Sequence, residues 1–375
     1  MTAPASRRLG ELDILRGFAI IFVVYLHAYF SPWEVTPARD KLAMHAIHLF
    51  AHAAVPVFLF ISGFLLARER ESTFAAFLRK KAVRIGIPLV TWMFIAFVYR
   101  AWQEGGVDRG LLKALALFDI SGQFYYLFVL PVFYVAFFFV RHWPLRKLAW
   151  LALAAFVVNL ATIAFYEQST ISGDFATLAY RNPLTWVFSF TFGLYAARRW
   201  ASLEWTARWS WPGATGMGVL FAYYLWQGER GGGYPSSYFG VSVFLFSCLG
   251  LVVFPALLVQ ARSLAASAIF LRPLQELGRY SFAIYLVHMP LSIGWLTTKV
   301  VSDSRLRDDY TQLMNGIFVV GFLGALVAVV ALDVLVPRSR IFLGIEPRRT
   351  TTPTPRSSGT PIPTPTAPLS RSRTP

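Results

Sequence analysis

Val55-Pro56-Val57-Phe58-Leu59-Phe60-Ile61-Ser62-Gly63-Phe64-Leu65-Leu66 is the centre of an apolar stretch, residues 45–67, that holds no Asp, Glu, Lys or Arg. A helix needs about 20 consecutive, mostly apolar residues to cross a bilayer. This stretch is long enough. Similar stretches recur near residues 14–31, 84–103, 124–141, 146–166, 184–197, 212–226, 238–260, 279–297 and 314–336, the sixth and seventh in chain order being short enough to read as half-helices. In lipid every backbone polar group must be satisfied within the structure, so the expected fold is all-α: a polytopic transmembrane helical bundle of about ten spans.

Composition agrees. Of 375 residues, 56% are hydrophobic and 14% charged, a balance that a water-facing fold of this length cannot bury. No polar gap of domain size interrupts the apolar runs, so a short segment, residues 1–11, is expected to lead into one membrane domain, residues 12–336. The formal charge of +16 is scattered in short clusters between apolar runs, which argues against nucleic acid as a partner and for membrane lipid. The lone Cys248 excludes a disulfide framework. The first apolar stretch follows Arg7, Arg8 and Arg16 and runs into Pro32 and Trp33 without a small-residue cleavage site, so it reads as a retained span.

Positively charged loops stay on the cytoplasmic side. Lys and Arg cluster at Arg68 to Arg84, Arg141 to Lys147, Arg198 to Arg208, Arg262 to Arg279 and Arg338 to Arg349, whereas the alternate loops carry Glu34, Asp40, Glu104, Asp108, Asp303, Asp308 and Asp309. An even number of spans with both termini in the cytoplasm satisfies this pattern. The tail, residues 347–375, is rich in Pro, Thr, Ser and Arg and is expected to be disordered. No internal repeat is visible, which weighs against the inverted-repeat architecture of many secondary transporters.

Ionisable residues inside a span are costly and are functional candidates by default. In the first span Arg16 precedes His27 by eleven residues; at about 100° and 1.5 Å per residue this puts both on nearly one helix face, roughly 16 Å apart along the axis. A snorkelling Arg and a His bonded to a neighbouring helix would look the same. Lys81 and Arg84, three apart in the basic loop after the second span, would share a helix face and clamp one polyanion, although positive-inside bias also puts bases there. Ser62-Gly63 permits close helix packing. His45, His48 and His52 share a face within about 60°, a spacing open to a metal, but no Cys or paired carboxylate stands near them and no metal is expected. His52 suits the outer mouth, where it would help orient His27 or an acceptor. His288 and Tyr285, late in the chain, suit the same cavity or a helix-to-helix hydrogen bond.

Four segments in order, Leu12-Asp13…Arg16-Gly17…Ala19-Ile20…His27, Phe58…Ser62-Gly63-Phe64-Leu65, Lys81…Arg84-Ile85…Pro88 and Ser281-Phe282-Ala283-Ile284-Tyr285-Leu286…His288, resemble the acyltransferase 3 family across residues 12–336. The resemblance implies a multi-pass protein of the bacterial inner membrane that moves an acyl group, most often acetyl, from acyl-CoA to a hydroxyl of a surface polysaccharide or a similar carbohydrate or lipid-linked glycan acceptor. It needs no cofactor beyond acyl-CoA as cosubstrate. It makes His27 the catalytic residue and places Arg16, Lys81 and Arg84 at the donor. Lys81 departs from the arginine usual there, which keeps the charge and loses the bidentate fork. Gln123-Phe124-Tyr125-Tyr126-Leu127 replaces a usual His and Trp, which leaves Tyr125 as an acceptor-side candidate beside Ser62, Tyr285, His288 and His52.

Acyl-CoA has phosphates at one end and a thioester at the tip of a long arm, so a basic cluster and a deep imidazole suit its two ends. The imidazole would act as general base or as a covalent acyl carrier. A transporter or flippase of a polar or lipid-linked substrate, with the same residues lining a path, is the alternative, and a purely structural subunit is a third. On the charge pattern, topology reporters fused after Arg84 and Arg208 should read cytoplasmic and those at Asp40 and Asp308 external; an inverted signal at Asp308 alone would mean a miscount among the sixth and seventh spans.

Overall fold

The computed structural model describes residues 5–28, 38–69, 73–200, 202–230, 238–262, 268–294, 296 and 310–345. Among these there is no strand. The chain runs through α1 (Ala5–Ala28), α2 (Ala38–His52), α3 (Ala54–Ala67), α4 (Phe74–Lys81), a π turn (Ala82–Gly86), α5 (Ile87–Gln103), α6 (Arg109–Ala116), α7 (Tyr125–Phe138), α8 (Leu145–Glu167), α9 (Gly173–Arg181) and α10 (Val187–Arg199). It continues through α11 (Ser210–Arg230), α12 (Val241–Ala261), α13 (Ala268–Val287), a second π turn (His288–Ile293), α14 (Tyr310–Leu335) and a short α15 (Arg340–Leu343).

Among the described residues five helical stretches are long and apolar enough to cross a membrane: Leu42–Ala67, Phe74–Gln103, Leu145–Glu167, Val241–Ala261 and Gln312–Leu335. Each of the ten expected stretches overlaps a helix, with instructive differences. The second is broken at Ala53 into α2 and α3, because Pro56 has no N–H to give the carbonyl of His52 and the helix restarts with Val57 N–H bonded to the Ala53 carbonyl. The third begins at Phe74, so Arg79, Lys80 and Lys81 lie on a helix rather than in a loop. Thr73 caps that helix, its hydroxyl accepting from the Ala76 amide. The seventh is no half-helix: α11 is 21 residues long. The segments around Glu34, Asp303 and Asp308 and the tail from residue 347 lie outside the described residues.

Two close helix crossings organise the centre. On α1, a Cβ added to Gly17 would fall 1.9 Å from the Leu274 carbonyl oxygen of α13, and one on Gly278 of α13 would fall 1.7 Å from the Asp13 oxygen of α1. The second crossing repeats the device: Gly63 of α3 faces the Phe190 oxygen at 2.0 Å, and Gly193 of α10 faces the Phe60 oxygen at 2.1 Å. Between helices already surrounded by apolar matter, backbone proximity rather than hydrophobic burial supplies the contact, and only a residue without a side chain allows it. α1 also meets α2, α3 and α14, which makes it the inner helix of the bundle.

The end of the chain hooks back beneath this core. After α14, Arg340 Nε donates to buried Asp333 at 2.5 Å while the Tyr280 hydroxyl donates to its other oxygen at 3.0 Å. Trp92 of α5 donates its indole N–H to the Phe342 carbonyl at 3.0 Å. Gly344, with φ at +64°, turns the chain there and lies against Phe282 and the carbonyl of Arg84.

The crossings make a paired forecast. Gly17→Ala and Gly278→Ala should each destabilise the protein by about 1–3 kcal/mol or more, since carbonyl oxygens must move apart. Gly316→Ala on α14, where an added Cβ meets nothing within 4 Å, should be neutral or gain up to about 1 kcal/mol. Thermal melting of the purified proteins in one detergent ranks the three; equal melting points would mean the crossings carry no strain.

Candidate active site

Gly17 to His27 and Gly278 to His288 are both steps of ten residues. Helices that cross at the glycines and run in parallel therefore present the two imidazoles at the same height, about 15 Å further along. The rings meet edge to face with centroids 5.0 Å apart, and His288 Nε2 lies 3.3 Å from His27 Nδ1. Neighbouring carbonyls define the protons. His27 Nδ1 is 2.8 Å from the Val23 oxygen, and His288 Nδ1 is 2.8 Å from the Tyr285 oxygen and 3.1 Å from that of Ile284. A carbonyl only accepts, so both Nδ1 atoms carry hydrogen. His288 Nε2 is then an acceptor aimed at the N–H of His27, and His27 Nε2 keeps its lone pair outside these contacts.

His288 opens a π turn, in which the Gly294 amide bonds back five residues to the Met289 carbonyl. Pro290 explains the widening, since it has no N–H for the carbonyl four residues earlier. The other π turn contains Arg84 and has the same cause, because Pro88 leaves the Arg84 carbonyl without its helical donor. Such turns are frequent at functional sites.

A polar track leads away from the imidazoles. The Tyr285 hydroxyl donates to the backbone carbonyl of Gln123, in the turn just ahead of α7. Its ring packs on Tyr126 with centroids 5.6 Å apart and lies 5.9 Å from His288. The Tyr126 hydroxyl is 3.4 Å from Ser62 Oγ, which itself donates to the Phe58 carbonyl at 2.8 Å. Tyr134 lies eight residues along the same helix, about 12 Å on. Over its ring sits the ammonium of Lys81, 4.4 Å from the centroid. One face of α7 thus connects the imidazole pair to the basic cluster.

Tyr125 and His52 sit in a neighbouring aromatic group that adjoins Tyr285. Tyr125 stacks on Trp186 at 5.4 Å and packs on Tyr180 at 5.3 Å, while His52 packs on Tyr238 at 4.5 Å and on His48 at 4.3 Å. Trp186 and Tyr238 are themselves 4.8 Å apart, so these side chains form one buried aromatic group. His45, His48 and His52 are all buried on α2, and the described residues contain no group of three or more side chains arranged to hold a metal.

At the opposite end Arg16 pairs with Asp13 at 2.9 Å, within its own helix. Lys81 immediately precedes the π turn and Arg84 lies within it, and both charges act on one carboxylate, that of Glu69. Glu69 enters this cluster. One of its oxygens accepts from Lys80, and the other lies 3.7 Å from the Lys81 ammonium. Burial alone would raise the Glu69 carboxyl, but the Lys80 hydrogen bond and the charges of Lys81, Lys80 and Arg84 outweigh it and hold the group below the ordinary range.

The family model described as an acyltransferase domain, that of acyltransferase 3, matches residues 9–334. The chain belongs to the acyltransferase 3 family. No curated protein and no solved structure matches it at a significant level. The match covers both members of the imidazole pair, the α7 track and the basic cluster, so all of these belong to the acyltransferase domain.

Glu69 and Arg181 were not marked by the sequence, and Tyr126 and Gln123 only as members of the segment around Tyr125. Tyr126 adjoins Tyr125, and only the starting register of α7 decides which of the two faces Ser62. Arg181 is buried on α9 and donates to the carbonyls of Leu117, Phe118 and Thr177 and to Asp119. It thereby pins the turn at Phe118, whose φ is +57°, just ahead of Gln123. In the sequence Arg181 reads as one more loop base.

Tyr285→Phe removes the hydroxyl donor to the Gln123 carbonyl, which keeps the Tyr125 amide, a loss of about 0.5–1.5 kcal/mol. A lower melting temperature with helix content unchanged by circular dichroism is the expected result; an unchanged melting temperature would show that this bond is not made in the folded protein.

Proposed function

We propose that the protein is an O-acyltransferase of the bacterial inner membrane, with ten spans and both termini in the cytoplasm, that moves an acyl group, acetyl in the first instance, from acyl-CoA to a hydroxyl of a carbohydrate-like or lipid-linked glycan acceptor. Family membership supports the acyl-transfer class. The orientation of His27 carries the rest of the reading: Nδ1–H is committed to Val23 and His288, which leaves Nε2 to act on a substrate proton.

In this reading Nε2 of His27 takes the proton of the acceptor hydroxyl as its oxygen attacks the thioester carbonyl. The new C–O bond forms, the C–S bond breaks, and the imidazolium returns the proton to the departing thiolate of coenzyme A. While His27 is charged, the Val23 carbonyl and His288 Nε2 both accept from Nδ1–H and stabilise it without moving. His288 is thus a positioning residue that fixes the ring and its tautomer. Lys81 and Arg84 hold the donor's phosphates, Arg16 lies on the way, and the α7 face carrying Tyr134 and Tyr126 lies beside the arm between phosphates and thioester. Ser62 and Tyr285 line the reacting end.

His27→Ala should lower transfer by at least ~10²–10⁴-fold, the usual cost of losing acid–base catalysis, while the protein still inserts and folds. His288→Ala leaves the base in place but loosens it, so its loss should be smaller. The measurement is thioester consumption coupled to acceptor acylation by purified, folded variants at saturating acyl-CoA. Near-normal turnover in His27→Ala would overturn the catalytic assignment and favour a path-lining role for Arg16 and His27.

A further inference from the structure

The basic cluster expected to take the donor's phosphates is already filled from within the chain. Glu69 sits in the connection between α3 and α4 with its side chain only 17% exposed, its two oxygens divided between Lys80 and Lys81. Arg84 contributes a third positive charge that acts on the same carboxylate. Two anionic oxygens shared among several cations is the arrangement a phosphate group requires. The cations are unequal: Lys81 is held over the rings of Tyr134 and Phe77, 4.4 and 5.2 Å from their centroids, and its side chain is 15% exposed, whereas Lys80 is 55% exposed. The fixed cation belongs to the site and the exposed one can follow its partner.

We propose that Glu69 is an internal competitor for the donor's phosphate: it keeps Lys80, Lys81 and Arg84 in an anion-binding array, and acyl-CoA binds by displacing it. The inference rests on the reading of Lys81 and Arg84 as the phosphate clamp, and it adds Lys80 to that clamp. Its consequence is selectivity by charge. A ligand with one weak negative charge gains nothing by replacing a tethered carboxylate, while the multiply charged phosphates of coenzyme A do. The Lys80 end of the pair is exposed and opens at small cost, and the part-buried contact to Lys81, 3.7 Å long, is the one the donor's phosphate takes over.

Isothermal titration of the purified full-length protein in detergent with coenzyme A, and with its analogue lacking the 3′-phosphate, tests this. Glu69→Gln keeps the size and hydrogen-bonding capacity and removes the charge, so it should bind coenzyme A about two- to fivefold more tightly than the unaltered protein at low salt. The gain should shrink at high salt. Lys81→Gln and Arg84→Gln should weaken binding, each removing a charge-assisted contact. Glu69→Asp retains the charge but draws it back by one methylene; its affinity should fall between the unaltered protein and Glu69→Gln, and it serves if the Gln variant does not fold. Unchanged or weaker binding in Glu69→Gln and Glu69→Asp, with Lys81→Gln and Arg84→Gln still impaired, would leave the clamp standing and reduce Glu69 to a tie between α3 and α4. Undiminished binding in both Lys81→Gln and Arg84→Gln would remove the clamp, and with it this inference.

Discussion

Everything at the centre of the molecule depends on how closely α1 and α13 approach at Gly17 and Gly278. Each glycine faces a backbone carbonyl of the other helix, and no side chain, not even a methyl group, fits between. Because the helices run parallel from that crossing and each carries its His ten residues beyond it, the encounter of His27 and His288 is set by helical geometry and needs no loop to hold it. A site built on packed helices keeps its atoms better placed than one built on loops. The crossing of α3 and α10 does the same for Ser62, next in sequence to Gly63, and for the far end of that pair, where Arg68 donates to the Trp200 carbonyl at 2.9 Å.

The two ends of the site obey different electrostatics. Around the imidazoles the partners are neutral: carbonyls, tyrosine hydroxyls and a serine, each within hydrogen-bonding or ring contact of the next. Around Lys80, Lys81, Arg84 and Glu69 the partners are charged and part-exposed, where salt and water weaken every contact. A ligand with a charged head and an uncharged reactive tip matches that division. The α7 face running from Tyr134 to Tyr126 is the structural link between the two ends.

Much of this was legible in the sequence, for a physical reason. Apolar length forces helices in lipid, so the ten stretches could be read from composition alone, and each overlaps a helix. Arg16 and His27 could be paired because they lie on one helix, where spacing fixes direction. What could not be read depends on pairings between distant segments. His288 stands 261 residues from its partner His27, and nothing local shows that Gly278 rather than another glycine meets Gly17. Backbone irregularities were also hidden: the hinge ahead of Pro56 and the π turns ahead of Pro88 and within His288–Ile293 each interrupt regular helical spacing. The prolines were the available signal.

The hooked end of the chain ties the architecture to the order of synthesis. Arg84 is made early, yet the glycine that rests on its carbonyl is Gly344, and the tryptophan five residues after Ile87 finds its acceptor only in Phe342. The imidazole pair likewise waits for α13. A ribosome that has delivered the first eight helical stretches has therefore delivered a His without its neighbour and a basic turn without its floor. Asp13 and Arg16, by contrast, pair within a single helix and wait for no later segment. The imidazole pair and the basic turn are complete only once α13 and residues 340–345 are in place.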